Sequence, residues 1–215
     1  MLLARLPVSH RNLSLDFKLK RTLLGLSYPP QLWCPVWMGT LSPQALAELF
    51  EEHIDLEEVY SEALLQWDSC QQTDLVDKTL QFYTKLYLQD DILVKIDRAS
   101  MMVALEARSP FLDIELVDFV RQIPSAYKFR RGITKYILKK ALEKLLPLDI
   151  IYRSKKGFGA PIGKWLCEQE ITLEANTIPF LNHIFIQTAQ AQHLQRQVDQ
   201  RAFLWNLWLL QKGQY

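Results

Sequence analysis

Residues 90–113, DDILVKIDRASMMVALEARSPFLD, are the stretch that decides how this chain folds. The first half has apolar residues at helical spacing, and Asp91 and Lys95 stand four apart, where they can pair on a helix surface. The second half turns polar and reaches a proline, and the residue before a proline avoids helical backbone. The stretch therefore predicts a helix that carries Asp97 and Arg98 near its end and then breaks into an extended turn.

A second informative segment, residues 153–165, reads RSKKGFGAPIGKW. Lys155 and Lys156 precede Gly157 and Gly159, and glycine permits a tight backbone path that comes close to a ligand. A basic loop of this kind, following a helix that ends in an Asp-Arg pair, suits a polyanionic ligand. Taken alone, a solvated basic turn is the more frequent explanation of such a segment.

The remainder of the chain is predicted to be helical, because it has 7 Gly, abundant leucine and repeated 3.6-residue spacing without an alternating strand pattern. Cap and stop residues give the expected helices. In chain order they cover residues 15–24 with Gly25 as a stop, a helix from Ser42-Pro43, residues 56–67, 74–88, a helix after Asp90, one from Asp113 to Pro124, residues 134–146 and 191–211. A mainly α fold with few or no strands follows.

Apolar stripes identify the expected core faces of three of these helices. The stripes are Ile92, Leu93, Ile96 and Val103; Leu116, Val117, Val120 and Ile123; and Leu194, Val198, Leu204, Trp205, Leu207 and Trp208. Each stripe is expected to lie in the core, although the last one could also meet a partner.

The composition excludes several function classes. Lys+Arg number 25 against Asp+Glu 24, so no overall field directs the chain to nucleic acid or to an anionic membrane. Three widely separated cysteines without a Cys-x-x-Cys pair argue against disulfides and a zinc ribbon, and fit a reducing cytoplasm. No apolar run reaches the ~20 residues that span a bilayer. The four histidines lack ligand spacing, so no metal site is expected.

The two quoted segments together resemble the C-terminal part of glutamine-hydrolysing asparagine synthetases and their relatives, including β-lactam synthetases. The same elements recur there in this order and near this spacing. The resemblance implies that residues 1–215 are the helical C-terminal portion of an adenine nucleotide α-hydrolase-like (α/β) synthetase domain, whose parallel sheet would be encoded upstream.

Three other signatures of that family are absent from this chain: the N-terminal cysteine nucleophile of the glutaminase domain, the Ser-Gly-Gly-x-Asp-Ser pyrophosphate loop and the Ser-Gly-x-Gly-x-Asp-Glu segment. The resemblance therefore implies an N-terminally truncated relative without the glutaminase domain and the pyrophosphate-binding loop. We expect such a fragment to be inactive alone.

The resemblance assigns a catalytic role to Lys155, which aligns with the lysine that contacts the adenylate and stabilises charge during adenylation. Lys156 and Gly157 belong to the same loop and are expected to bind substrate or nucleotide.

Three further positions are expected near the substrate. Arg98 stands where some asparagine synthetases have lysine, so its residue type departs from those members. Glu106 fits an ion pair that holds the turn as well as it fits a catalytic role, which a nearby glutamate has in the β-lactam-forming relatives. Arg108 is expected to be structural or to orient the substrate.

The implied activity is that of an AMP-forming carbon-nitrogen ligase that uses ATP, Mg²⁺, aspartate and ammonia derived from glutamine, in the cytoplasm. Two alternatives remain: a helical interaction module that completes a split amidoligase by docking on a companion chain, and a related amidotransferase acting on another carboxylate. Nucleic-acid binding through residues 129–132 is disfavoured, because one arginine pair in a neutral chain is a poor electrostatic footprint.

Overall fold

The computed structural model describes residues 14–154, 160–168, 171, 173–174 and 178–213. Contacts divide the chain into a first unit, Met1–Leu64 with Phe158–Tyr215, and a second unit, Leu65–Gly157. The mainly helical prediction is confirmed. Among the described residues, no helix has both the length and the apolar character needed to cross a bilayer.

The helices are numbered in chain order. They are α1 (Leu15–Leu26), α2 (Trp33–Met38), α3 (Pro43–Leu49), α4 (Leu56–Val59), α5 (Ser61–Asp68), α6 (Leu75–Phe82), α7 (Val94–Met101), α8 (Ile114–Gln122), α9 (Ser125–Lys128), α10 (Tyr136–Leu142), α11 (Leu148–Ile151), α12 (Ile162–Cys167), α13 (His183–Leu194) and α14 (Arg201–Lys212). A π-helix (Tyr83–Leu93) joins α6 to α7, and short 3-10 helices occur at Pro30–Leu32 and Pro110–Leu112.

Side-chain caps start several helices where the sequence predicts them. The Ser42 hydroxyl accepts a hydrogen bond of 3.1 Å from the Ala45 N–H, and Pro43 is the first residue of α3. The Asp113 carboxylate accepts one of 3.2 Å from the Leu116 N–H at the start of α8. Each bond satisfies a backbone donor that the first turn leaves without an intrahelical acceptor. Both helix starts are therefore confirmed.

The single long helix predicted over residues 191–211 is wrong. α13 ends at Leu194, Arg196 adopts a left-handed φ of 57°, and α14 starts at Arg201. At the start of α14, the Arg201 guanidinium donates hydrogen bonds of 2.8 and 2.6 Å to the Asp199 Oδ2. No glycine or proline marks this break, so a pattern-based prediction passes over it.

Two other predicted boundaries are also wrong. The helix expected over residues 56–67 is divided at Tyr60, which leaves helical geometry with φ −99° and ψ 6°. Conversely, the break expected near Asp90 does not occur, because the π-helix carries helical backbone from α6 into α7. The predicted pair between Lys95 and Asp91 is confirmed, with an N–O distance of 3.8 Å.

The sheet among the described residues is one hairpin of two short strands. Strand β1 (Phe129–Arg130) pairs antiparallel with β2 (Ile133–Thr134), with Phe129 opposite Thr134. Arg131 and Gly132 form the turn with φ values of 49° and 80°, and left-handed backbone at both positions is what a type I′ hairpin turn requires. The turn places two consecutive arginines at the tip of an exposed hairpin.

The core lies in the first unit. Its buried residues are Leu41, Leu49, Leu166, Ile178, Leu181, Ile186, Ala189, Phe203, Leu204 and Leu207. The Phe185 ring of α13 meets the Phe203 ring of α14 edge to face at 5.8 Å. The burial predicted for Leu204 and Leu207 is confirmed, whereas Leu194 and Val198 remain exposed.

The second unit buries little apolar surface. Over residues 65–154, Phe82 is the one buried residue. The predicted core faces are therefore wrong at Ile96, Val103, Leu116 and Val120, which are exposed, Ile96 at 45% and Val103 at 75%. The other members of the two stripes, Ile92, Leu93, Val117 and Ile123, are half-buried. Helical periodicity indicates that a face is apolar, but it does not supply the element that covers the face.

We expect Leu204→Ala to lower the free energy of unfolding of the first unit by about 2–5 kcal/mol, because it leaves a cavity beside Ile186 and Leu207. Urea denaturation followed by tryptophan fluorescence measures this loss, since Trp205 and Trp208 lie on the same helix. Leu210→Ala, at an exposed position of that helix, is the control and should cost much less. Equal losses would contradict the placement of the core.

Candidate active site

The end of α7 presents Arg98, which is exposed in the last turn of the helix. Beyond it the helix closes with two hydrogen bonds of 3.0 Å, from the Leu105 N–H to the Ser100 carbonyl and from the Ala104 N–H to the Met101 carbonyl. This pattern is a Schellman motif, in which the residue after the cap takes left-handed backbone. Here that residue is alanine, with φ 55°. The predicted end of the helix and the turn after it are confirmed.

Glu106 and Arg108 pair with one another in this turn. The Arg108 Nε donates a hydrogen bond of 2.9 Å to the Glu106 Oε1, and the side chains are 83% and 71% exposed. An ion pair this exposed contributes at most about 1 kcal/mol to stability. The expected ion pair is present, but it joins two residues of the turn to each other and not the turn to a neighbouring helix. It leaves Arg108 at the surface, where a ligand can reach its guanidinium.

Lys155, Lys156 and Gly157 lie outside the described residues. The described residues just before them, Arg153 and Ser154, are exposed. Among the predicted site residues, the structure joins Glu106 to Arg108 and places Arg98 on the helix that precedes their turn.

A polar cluster that the sequence analysis missed holds the residue before this basic loop. The Lys140 ammonium and the Tyr152 hydroxyl donate hydrogen bonds of 2.7 and 2.5 Å to the same Glu143 Oε1. These bonds, first that of Lys140 and then that of Tyr152, lower the pKa of Glu143. The bond to Glu143 likewise raises the pKa of Tyr152. The three-residue spacing of Lys140 and Glu143 on a helix predicts their pair, whereas nothing in the sequence predicts the contact of Tyr152 with Glu143.

A second feature found only in the structure is the support of the hairpin. Lys128 pairs with Asp77 at 3.1 Å, and both side chains are more than 80% buried, so this contact ties α9 to α6. The Arg130 guanidinium lies over the Tyr136 ring at 5.2 Å. The 51-residue separation of Lys128 and Asp77 explains why the sequence does not reveal their contact.

The predicted site residues near the end of α7 include two exposed cations. Arg98 and Arg108 are exposed cations near the end of α7. In the part of the chain that the structure describes, no three His, Cys, Asp or Glu residues come together as a metal site would require.

Arg98 and Arg108 are thus the described members of the predicted site that can meet an anion. The sequence profile of the family described as asparagine synthase matches residues 4–211, and the chain belongs to that family.

Several curated relatives are similar to part of the chain. Glutamine-hydrolysing asparagine synthetase 1 of Bacillus subtilis (strain 168) is 32% identical over 127 residues, which are 56% of this chain and 20% of the relative. A putative asparagine synthetase of Mycobacterium bovis is 42% identical over 85 residues, 40% and 13% of the two chains. The glutamine-hydrolysing asparagine synthetase of Gallus gallus is 31% identical over 88 residues, which are 40% of this chain and 15% of the relative. The chain thus matches a fifth or less of the length of these relatives, and no solved structure matches it.

We expect Ala104→Gly to raise the free energy of unfolding by roughly 1 kcal/mol, because glycine adopts left-handed backbone without the steric cost that alanine has. Ala99→Gly, inside α7, is the matched control and should lower it by a similar amount. Urea denaturation followed by circular dichroism measures both. A loss of stability in Ala104→Gly would contradict the left-handed turn.

We expect Lys140→Met to raise the pKa of Glu143 more than Tyr152→Phe does, because Lys140 provides the larger stabilisation of the carboxylate. Carboxyl carbon NMR titration measures both shifts, with Tyr136→Phe as a control. Since folding lowers the pKa of Glu143, its contribution to stability is present above the pKa of the unfolded chain and is lost as the pH falls. An unchanged pKa in both variants would contradict the cluster.

Proposed function

We propose that this chain is the helical C-terminal portion of an adenine nucleotide α-hydrolase-like synthetase domain and contributes to the ATP-dependent amidation of aspartate through an aspartyl-adenylate. The observation that carries the proposal is the family match over residues 4–211, because that range includes both sequence segments that resemble asparagine synthetases. The names of the relatives support the same activity.

The chemistry explains the need for cations. A carboxylate resists ammonia because an oxide ion would have to leave, so it is first activated. One aspartate oxygen attacks the α-phosphorus of ATP and releases pyrophosphate, and ammonia then attacks the acyl carbon and displaces AMP. Cations aimed at the α-phosphate stabilise the developing charge more than the ground state.

Lys155 is the cation to which we assign this catalytic role, with Lys156 and Gly157 in the same loop. The contact of Tyr152 with Glu143, on the segment that follows α10, holds the chain three residues before Lys155. Arg98 and Arg108 are suited to bind anionic parts of the nucleotide or aspartate. Glu106 would orient Arg108 through the 2.9 Å bond between them.

ATP brings Mg²⁺ as a phosphate-bound ion in such a reaction. The described residues provide cations for phosphates but no cluster of carboxylates for the metal. The metal would therefore be held mainly by the phosphates and by residues of the synthetase outside this chain. The relatives extend far beyond the matched segment, and we propose that this chain alone is inactive and acts together with the remaining parts.

A second candidate function is an interaction module that completes a split amidoligase. The exposed apolar faces of α7 and α8 favour it, because a companion chain that carries the missing loops could cover them.

The decisive assay is pyrophosphate release with MgATP and aspartate, measured for the chain alone and together with the polypeptide encoded upstream. Release that requires both parts supports the proposal. Release by the chain alone, well above a Lys155→Ala control, would show that the nucleotide site is complete within this chain and would contradict the proposed inactivity. Replacing aspartate by other carboxylates in the same assay identifies a related amidotransferase.

In the completed enzyme we expect Lys155→Ala to lower turnover about a hundredfold, or about 3 kcal/mol, while ATP binding changes little, because the charge acts mostly in the transition state. Lys156→Ala is the matched control and should do much less. Steady-state kinetics with ATP binding measured separately distinguishes the two effects. Equal losses in the two variants, or no loss at Lys155, would refute the assignment.

A further inference from the structure

A histidine at the end of α13 is the one buried polar residue among those that the structure describes. His193 is 1% exposed and lies in the last turn of the helix. The backbone N–H of Gln200, the residue before α14, donates a hydrogen bond of 3.3 Å to its Nδ1. A ring nitrogen that accepts a hydrogen bond carries no proton, so the imidazole is neutral and has its proton on Nε2.

An aspartate lies beside this ring, but an arginine already neutralises it. The Asp199 Oδ1 is 3.9 Å from the His193 Nδ1. Arg201 donates to the same Oδ1 from its Nε at 3.0 Å and from its backbone N–H at 3.2 Å. The side chains of Asp199 and Arg201 are 8% and 14% exposed, so water and salt screen their ion pair little. The carboxylate thus has a close cation before the histidine takes up a proton.

Arg21 of α1 is a second cation near Asp199. Its Nη2 donates a hydrogen bond of 2.6 Å to the Thr40 carbonyl. Burial lowers the pKa of Arg21, and the negative charge of Asp199 acts in the opposite direction. A protonated His193 would therefore be a third cation near a single carboxylate.

The helices that pack against α13 bring few other charges to this place. They are α3, α12 and α14. Their remaining titratable side chains are exposed or half-buried, and these are Glu48, Lys164, Cys167 and Lys212. Lys164 also pairs with Glu168, just beyond the end of α12, at 3.6 Å. The charge balance around His193 is thus set mainly by Asp199 and the two arginines.

We propose that His193 is an acid-sensitive switch of the first unit, and that protonation of its ring opens the junction between α13 and α14. A proton on Nδ1 would remove the acceptor of the Gln200 N–H and would place a charge where water does not reach it. The attraction of Asp199 does not compensate, because Arg201 already donates to both of its oxygens. The folded unit therefore keeps the ring neutral, whereas the unfolded chain lets it take up a proton.

The sign of the pH dependence follows from this difference. An exposed histidine is half protonated near pH 6.5, so below about that pH the unfolded chain binds a proton that the folded unit does not bind. Stability therefore falls as the pH falls. While the folded ring stays neutral, a change from about pH 7.5 to about pH 5.5 raises the unfolding equilibrium constant about tenfold through this one group.

Urea denaturation of the full chain at these two pH values, followed by tryptophan fluorescence, tests the proposal. In His193→Asn the side-chain oxygen can accept the Gln200 N–H in place of Nδ1, but the side chain does not titrate. We expect the acid-induced rise of the unfolding constant to be about tenfold smaller in this variant than in the unchanged chain. The matched control is His53→Asn, at an exposed position of the same unit, which should keep the full rise.

A third variant tests why the neutral ring is favoured. Arg201→Met leaves Asp199 free to pair with a protonated His193, so the acid-induced rise should shrink even where this variant is less stable at both pH values. An undiminished rise in Arg201→Met would refute the role given to the arginine.

A measurement on the folded chain does not depend on any variant being as stable as the unchanged protein. NMR of the histidine rings at about pH 6 should find His193 neutral, although an exposed histidine is mostly protonated at that pH. The signal that is absent from His193→Asn assigns the ring. A protonated ring in the folded chain, a full acid-induced rise in His193→Asn, or a first unit that His193 makes more stable in acid would each overturn the proposal.

Discussion

The packing of α14 against α13 provides the contacts on which the first unit depends. Leu204 and Leu207 are almost fully buried in one core with Ile186, and the edge-to-face pair of Phe185 and Phe203 joins the two helices beside it. α12 contributes Leu166 to the same core, and α3 contributes Leu49. Segments far apart in sequence are thus held by one apolar cluster, whereas the second unit has no comparable cluster among its described residues.

Much of the local structure could be predicted from the sequence, because caps and ion pairs act over a few residues. Ser42, Asp113 and the Asp91–Lys95 pair all lie where their spacing predicts. The break between α13 and α14 could not be predicted, since it has a left-handed arginine and an Asp-Arg contact instead of glycine or proline. The prediction of core faces in the second unit failed for another reason. Helical periodicity shows that a helix is amphipathic, but burial of its apolar face depends on what covers that face.

In the candidate site, too, some contacts could be predicted from the sequence and others could not. The ion pair of Glu106 and Arg108 was foreseeable from their position in a short polar turn. The cluster of Lys140, Glu143 and Tyr152 was not, because it depends on how the chain turns between α10 and α11. The charged residues of the predicted site are therefore recognisable in the sequence, while contacts between residues far apart in the chain emerge from the fold.

Because α7 continues the π-helix (Tyr83–Leu93), the side of the helix on which Arg98 lies depends in an unusual way on the number of residues before it. An α-helix turns about 100° per residue, and a π-helix closes its hydrogen bonds one residue later than an α-helix does. A helical wheel drawn at constant pitch through this region therefore assigns residues after Leu93 to the wrong face. Removing a single residue between Tyr83 and Leu93 would let one π-turn close as an α-turn, so Arg98 would stay near its present side. Removing a single residue of α7 before Arg98 would instead rotate Arg98 by about 100° about the helix axis.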